Sequence, residues 1–265
     1  MRSRTILRQG VVPLATIVTI AVNLLIDVFK PNGLTTAQIS DSFPNFFVPA
    51  GYVFAVWGAI YIALAAYTIW QALPAQLDNP RLAMIAPLYA LSCVANVVWL
   101  VAFHFLQFGV AMILMLGLLS LLITIYTYVH PTTGFLRRAD SVPRNERWFA
   151  RIPFSIYLGW ITVATVANAT QLLVSVGWDG FGIQGQTWAV IMIAATVIIA
   201  LLVFATQRDA AYLLVLVWAV AGIGVKQSAV LAVSMPAWLA VVILAVIALV
   251  SFVGSGQGTV RSQPS

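Results

Sequence analysis

Charged side chains are scarce in this 265-residue chain: 13 lysines and arginines and 7 aspartates and glutamates make up only 8% of it, where a soluble domain carries about a quarter. So few charges cannot cover a water-facing surface, which excludes a soluble globular protein. A single cysteine, Cys93, excludes an internal disulfide framework and a cysteine-built zinc site, and it leaves the redox compartment unread. The two histidines, His104 and His130, are far apart in sequence, so no metal site is expected. Also absent are a glycine-rich phosphate loop, paired carboxylates within one apolar run, and an assignable Ser/His/Asp order. No catalytic residues are therefore assigned, and enzyme activity is the less favoured reading. The net charge of +6 and pI near 9.8 reside in short loops between apolar runs rather than on a recognition helix, so no nucleic-acid partner is expected.

What is abundant is apolar surface: 62% of residues are hydrophobic and the mean hydropathy is +1.00, so the lipid bilayer is the expected surrounding. A bilayer core of about 30 Å needs about 20 helical residues. Eight runs of that kind lie at about 11–29, 49–71, 82–105, 107–129, 149–177, 187–206, 210–229 and 236–253. The sixth and seventh are divided by Gln207-Arg208-Asp209, because a lipid-facing helix does not hold adjacent charges. The expected fold is an all-α polytopic membrane helical bundle of about eight transmembrane helices. Lys and Arg are retained on the cytoplasmic side. With both termini cytoplasmic, Arg2, Arg4, Arg8, Arg81, Arg137, Arg138, Arg144, Arg147, Arg151, Arg208 and Arg261 all fall inside, and only Lys30 and Lys226 fall outside. The first run is long and lacks a small-x-small cleavage pattern, so it reads as a retained anchor. The expected location is a bacterial inner (plasma) membrane.

Polar and aromatic residues form stripes on these helices. Ser92, Asn96, Trp99 and Phe103 lie on one face of the third run, and Tyr157, Trp160, Ala164, Asn168 and Gln171 on one face of the fifth. On the second, Phe54, Trp57 and Tyr61 share a face, while Gly51, Ala55, Ala59 and Ala63 make a small-residue ridge that suits close helix packing or a homodimer contact. Such stripes suit helix packing. They also suit a pocket for a planar hydrophobic ligand, lined by flat rings and amides. Residues 30–48 read as either a connector or an interfacial cover, and the 130–147 loop as a basic cytoplasmic segment explained by topology and anionic headgroups. Asp27 and Lys226 are ionisable residues within or near spans. The favoured reading is that Lys226 snorkels to the outer interface or pairs with Asp27; a coupling charge or a retinal Schiff base are its functional alternatives. His104 reads as an interfacial histidine at a helix end, with haem ligation as the alternative.

The run Pro49-Ala-Gly-Tyr-Val-Phe-Ala-Val-Trp57-Gly-Ala-Ile-Tyr61, with Asn96-Val-Val-Trp99-Leu-Val-Ala-Phe103 and Tyr157-Leu-Gly-Trp160-Ile-Thr-Val-Ala164-Thr-Val-Ala-Asn168, resembles the TspO/MBR family of tryptophan-rich sensory proteins, related to the translocator protein or peripheral benzodiazepine receptor. The motifs occur in the family's order and spacing. Three departures stand out: Phe54 lies three rather than four residues before Trp57, His104 replaces the second phenylalanine, and Pro153 precedes its usual position. The family has five helices. The resemblance therefore implies a five-helix module over residues 11–177, followed by an additional three-helix segment over 178–255 and a cytoplasmic tail over 256–265.

The resemblance further implies a pocket beneath the first long loop that binds tetrapyrroles, porphyrin or haem, as ligand rather than as a required cofactor. Its lining would be Trp57, Tyr61, Asn96, Trp99, Phe103, Tyr157, Trp160, Ala164 and Asn168, with Phe46 and Phe47 in the lid. The leading expectation is a sensor or carrier for a hydrophobic small-molecule ligand. The alternatives are a small-solute secondary transporter using Lys226, and a retinylidene or pigment-modifying membrane protein.

Overall fold

The computed structural model describes residues 2–43, 45–130 and 143–256. Among these the regular structure is helical, with no strand. The long helices are α1 (Arg2–Phe29), α3 (Val56–Ala72), α4 (Pro80–His104), α5 (Phe108–Val129), α7 (Ile152–Ser175), α8 (Gly185–Gln207), α9 (Ala210–Lys226) and α10 (Leu231–Gly256). Two short helices, α2 (Thr36–Asp41) and α6 (Arg144–Glu146), lie in the connections. A 3-10 turn, Gly51–Ala55, leads into α3, and a π-helical turn, Arg147–Arg151, leads into α7.

Local chemistry sets the boundaries. Asn79 caps α4 by accepting from the amides of Arg81 and Leu82, and Pro80 occupies the first turn, where its missing N–H costs nothing. The turn between α8 and α9 is tight because Arg208 adopts a left-handed conformation (φ 48°) and Asp209 caps α9 through the amides of Ala211 and Tyr212.

The first five long helices form one bundle, α1 on α3 and α4, α4 on α5, α5 on α7, and α3 on α7. Helix α9 then packs along α7, and α10 bridges α9 and α8. Glycine makes both close approaches of α9 possible. A Cβ at Gly159 would lie 3.0 Å from the Tyr212 carbonyl oxygen, and one at Gly222 would lie 2.1 Å from Val53 Cγ2.

Seven helical segments are long and apolar enough to cross a membrane, whereas α9 has only 17 residues. That is about 26 Å at 1.5 Å per residue, near the lower limit for a span. Its ends nevertheless reach opposite faces of the bundle. Asp209 accepts hydrogen bonds from Tyr126 at the end of α5 and Ser155 at the start of α7, while Lys226 pairs with Asp41 of α2. Flanked by α7 and α10, α9 is shielded from much of the lipid that a peripheral span would meet.

The arginine-rich ends gather on one face. There Arg8 donates to the carbonyl of Gln76 at 2.8 Å, and Arg81 pairs with Glu146. Arg137, Arg138 and Arg261 lie outside the described residues, as do 257–265 of the expected tail and the side chains of Arg2 and Arg4. On the opposite face are Asp27, Lys30, Asp41 and Lys226.

Of the two roles read for the small-residue ridge, close helix packing within the chain is not seen at its first three members: Gly51 and Ala55, in the turn before α3, and Ala59 of α3 are exposed, so among the described residues no neighbouring helix buries them.

Candidate functional site

The aromatic stripes converge where α3, α4 and α7 meet below α2. Trp57 is the centre: its ring lies 5.6 Å from Tyr61, 6.1 Å from Tyr157, 6.2 Å from Trp160 and 6.3 Å from Trp99. Its ring is near parallel to those of Tyr61 and Trp99 and edge-on to Tyr157 and Trp160. From Trp99 the ring contacts continue through Phe103 to Phe108 and Phe43. Such offset and edge-to-face pairs each contribute about 0.5–1.5 kcal/mol beyond area burial, so the cluster holds its own geometry.

A cavity of about 40 Å³ opens against these rings. Six of the nine expected lining residues border it: Trp57, Trp99, Phe103, Trp160, Ala164 and Asn168. The other three lie deeper. Tyr61 and Tyr157 support the Trp57 ring, and Asn96 accepts from Asn23 Nδ2 at 2.9 Å, an amide pair joining α4 to α1. No ionisable side chain among the described residues lines the cavity. Its polar groups are hydroxyls, amides and the indoles of Trp57, Trp99 and Trp160, a set that can orient a ligand by hydrogen bonds but offers no group for proton transfer at neutral pH.

Two of those groups differ in how they are satisfied. Asn168 Oδ1 accepts from Trp99 Nε1 at 3.3 Å, fixing that ring. Trp160 Nε1 is buried with no hydrogen-bond partner. A buried N–H left unpaired costs about 1–3 kcal/mol, so a ligand acceptor placed there recovers that energy on binding.

The cover is a helix. Thr35 and Gln38 form a capping box that starts α2, and Thr36 and Ser40 border the cavity. Four ties hold α2 down: the Lys226–Asp41 pair to α9 and three beside the cavity. Asp27 Oδ1 accepts from the Thr36 amide and hydroxyl, both at 2.9 Å. His104 Nε2 lies 3.1 Å from the Thr36 hydroxyl; because that hydroxyl donates to Asp27, the imidazole is the donor here. Gln171 Nε2 donates to the Ile39 carbonyl at 3.0 Å. His104 is indeed at a helix end, but fully buried under α2. The expected lid residues Phe46 and Phe47 instead border a neighbouring cavity of about 180 Å³ between the ends of α7 and α8, facing Trp178, Trp188 and Met192.

Lys226 is the last residue of α9, 26% exposed, and pairs with Asp41. The expected pairing with Asp27 is thereby corrected, since Asp27 is committed to Thr36. Nor does Lys226 border the aromatic cavity.

Sequence signals existed for what the stripes did not include. The Thr-x-x-Gln signature at Thr35 marks α2, and Asn23, an amide within the first apolar run, needed an interior partner. Nothing local marks Thr36 or Ser40 as cavity residues, because their position depends on how α2 folds back.

A family model described as TSPO-like protein matches residues 9–250, running through the five-helix bundle and on into α10. No curated protein and no solved structure matches the chain.

Proposed function

The chain belongs to the TSPO-like protein family and is a multi-pass integral membrane protein; from that premise we propose that it binds a planar hydrophobic molecule, a tetrapyrrole such as porphyrin or haem, between α3, α4 and α7, as a sensor or carrier in a plasma membrane. The observation that carries this reading is the Trp57-centred ring cluster, with Trp160, whose buried indole N–H is unpaired, among the residues that border the cavity. Flat rings supply stacking area, Trp160 Nε1 and Asn168 supply orienting polar contacts, and Thr36 and Ser40 close the site from above.

A drug-sized ligand needs about 300–1,000 Å³, far more than the 40 Å³ of the closed site. Entry therefore requires α2 to lift, which breaks its ties to Asp27, His104, Gln171 and Lys226. Ligand binding and lid movement are one coupled event in this reading.

The test is titration of the detergent-purified protein with protoporphyrin IX, following quenching of its nine tryptophans. Saturable quenching is expected, with affinity weakened severalfold in Trp160→Phe, which keeps a ring but loses the N–H, and further in Asn168→Leu. Absence of saturable quenching, or unchanged midpoints in both variants, overturns the assignment.

A further inference from the structure

Away from the aromatic site and independent of it, a second constellation lies on the arginine-rich face. A cavity of about 210 Å³ is bordered by Arg147, Arg151 and Arg208, with His130, Ser155 and Asp209 on its inner wall. Asp209 is the one carboxylate there among the described residues, and its oxygens are already engaged. Oδ1 caps α9, and Oδ2 accepts from Tyr126 at 2.8 Å and from Ser155, with His130 Nε2 at 3.3 Å. Among the described residues, the exposed Arg147 and Arg208 therefore bring guanidinium charge to the cavity with no carboxylate left open there, a setting that attracts a phosphate.

This cavity does not end at the interface. Ile152, Ala211 and Leu214 border both it and an open apolar groove of about 500 Å³ on the lipid-facing side. The groove is floored by Ala55 and Ala59 of the small-residue ridge and walled by Ile156 and Trp218. At its far end Trp218 is fixed by donating to the Val53 carbonyl at 3.0 Å and meets Tyr52 edge-on. From Ala211 to Trp218 the helix rises about 10 Å, a large part of the roughly 15 Å depth of one bilayer leaflet.

We propose that this joined cavity and groove is a site for an anionic phospholipid of the cytoplasmic leaflet, its phosphate held by Arg147 and Arg208 and one acyl chain along the floor of Ala55 and Ala59. Charge complementarity selects the headgroup. The groove, which no helix among the described residues fills, takes the acyl chain because Ala55 and Ala59 leave room that larger side chains would occupy. Neither half alone makes the argument: the arginines would accept any phosphate, and the groove any hydrocarbon.

The experiment incorporates the full-length protein into nanodiscs of zwitterionic lipid. It measures binding of a trace anionic phospholipid, such as phosphatidylglycerol, by native mass spectrometry, with phosphatidylcholine and inorganic phosphate as comparisons. Two variants divide the site. Arg147→Gln with Arg208→Gln removes headgroup charge, and Ala59→Leu fills the groove from a lipid-facing position that the fold tolerates. Wild type is expected to retain the anionic lipid over phosphatidylcholine. The arginine pair should cost on the order of 20-fold, and Ala59→Leu should cause a comparable loss while leaving the thermal transition intact.

Equal retention of both lipid classes overturns the proposal. So does inorganic phosphate binding with the arginines required and Ala59→Leu silent, which would make the cavity a free-phosphate site. If Ala59→Leu instead converts a dimer to a monomer without changing bound lipid, the alanine floor is a contact for a second copy of this chain and the acyl-chain assignment fails.

Discussion

Replacing Gly222 by alanine should loosen the seat of α9 on the first bundle. The added Cβ would meet Val53 Cγ2 at 2.1 Å and Pro49 Cβ at 3.2 Å, and Val53 is fully buried and β-branched, so it has little rotamer freedom. Relief requires the Gly51–Ala55 turn to move, straining the 3.1 Å hydrogen bond from the Ala50 amide to the Gly222 carbonyl. Overpacking of this kind costs about 1–3 kcal/mol, a fall in Tm of roughly 3–10 °C for a chain of this size. The protein carries its own reporter. Cys93 is the sole cysteine and is only 4% exposed, so a dye that fluoresces on reaction with thiols reads unfolding directly during a thermal ramp. Val53→Ala alone should lose about 1–3 kcal/mol through its cavity. Combined with Gly222→Ala the loss should fall short of the sum by at least about 1 kcal/mol, because the new methyl enters vacated space. An unchanged transition in Gly222→Ala, or strict additivity in the double variant, would refute the close-approach argument.

Two further outcomes are expected. Asp209→Ala removes both the cap of α9 and the acceptor shared by Tyr126 and Ser155, and should destabilise by about 2–4 kcal/mol; Asp209→Asn keeps the cap and should lose less, so equal losses in the same thiol assay would contradict the shared-acceptor role. Thr35→Ala breaks the capping box of α2 and should cost that helix about 1 kcal/mol, read as roughly fivefold faster amide exchange within Thr36–Asp41, and exchange indistinguishable from wild type would count against it.

The bundle was legible because its signal is collective: each apolar run extends over many residues, and lipid demands that length. The stripe on α4 was legible for the same reason, since Asn96 and Trp99 stand out against aliphatic neighbours at helical spacing. Tertiary choices were not. Gly51, Ala55 and Ala59 read equally well as a contact or a lipid-facing floor, because a small-residue ridge states only that something can approach. The partner of Lys226 depended on α2 folding back to bring Asp41, rather than Asp27, within reach. Asp209 read only as part of the break between two apolar runs, yet it is 8% exposed, its burial compensated by the first amides of α9 and by Tyr126 and Ser155, which are distant in sequence.

The ties on α2 come from α1, α4 and α7, three different walls of the aromatic site, and from α9 through Lys226. Releasing one leaves the others in place, so opening is concerted and infrequent rather than a graded breathing. A visitor too large for the closed cavity has to wait for that event. Its observed association rate should therefore rise with concentration only until it equals the rate of opening, and then stay flat. The clock for occupancy is thus set by Asp27, His104, Gln171 and Lys226, none of which is among the rings that would grip the ligand.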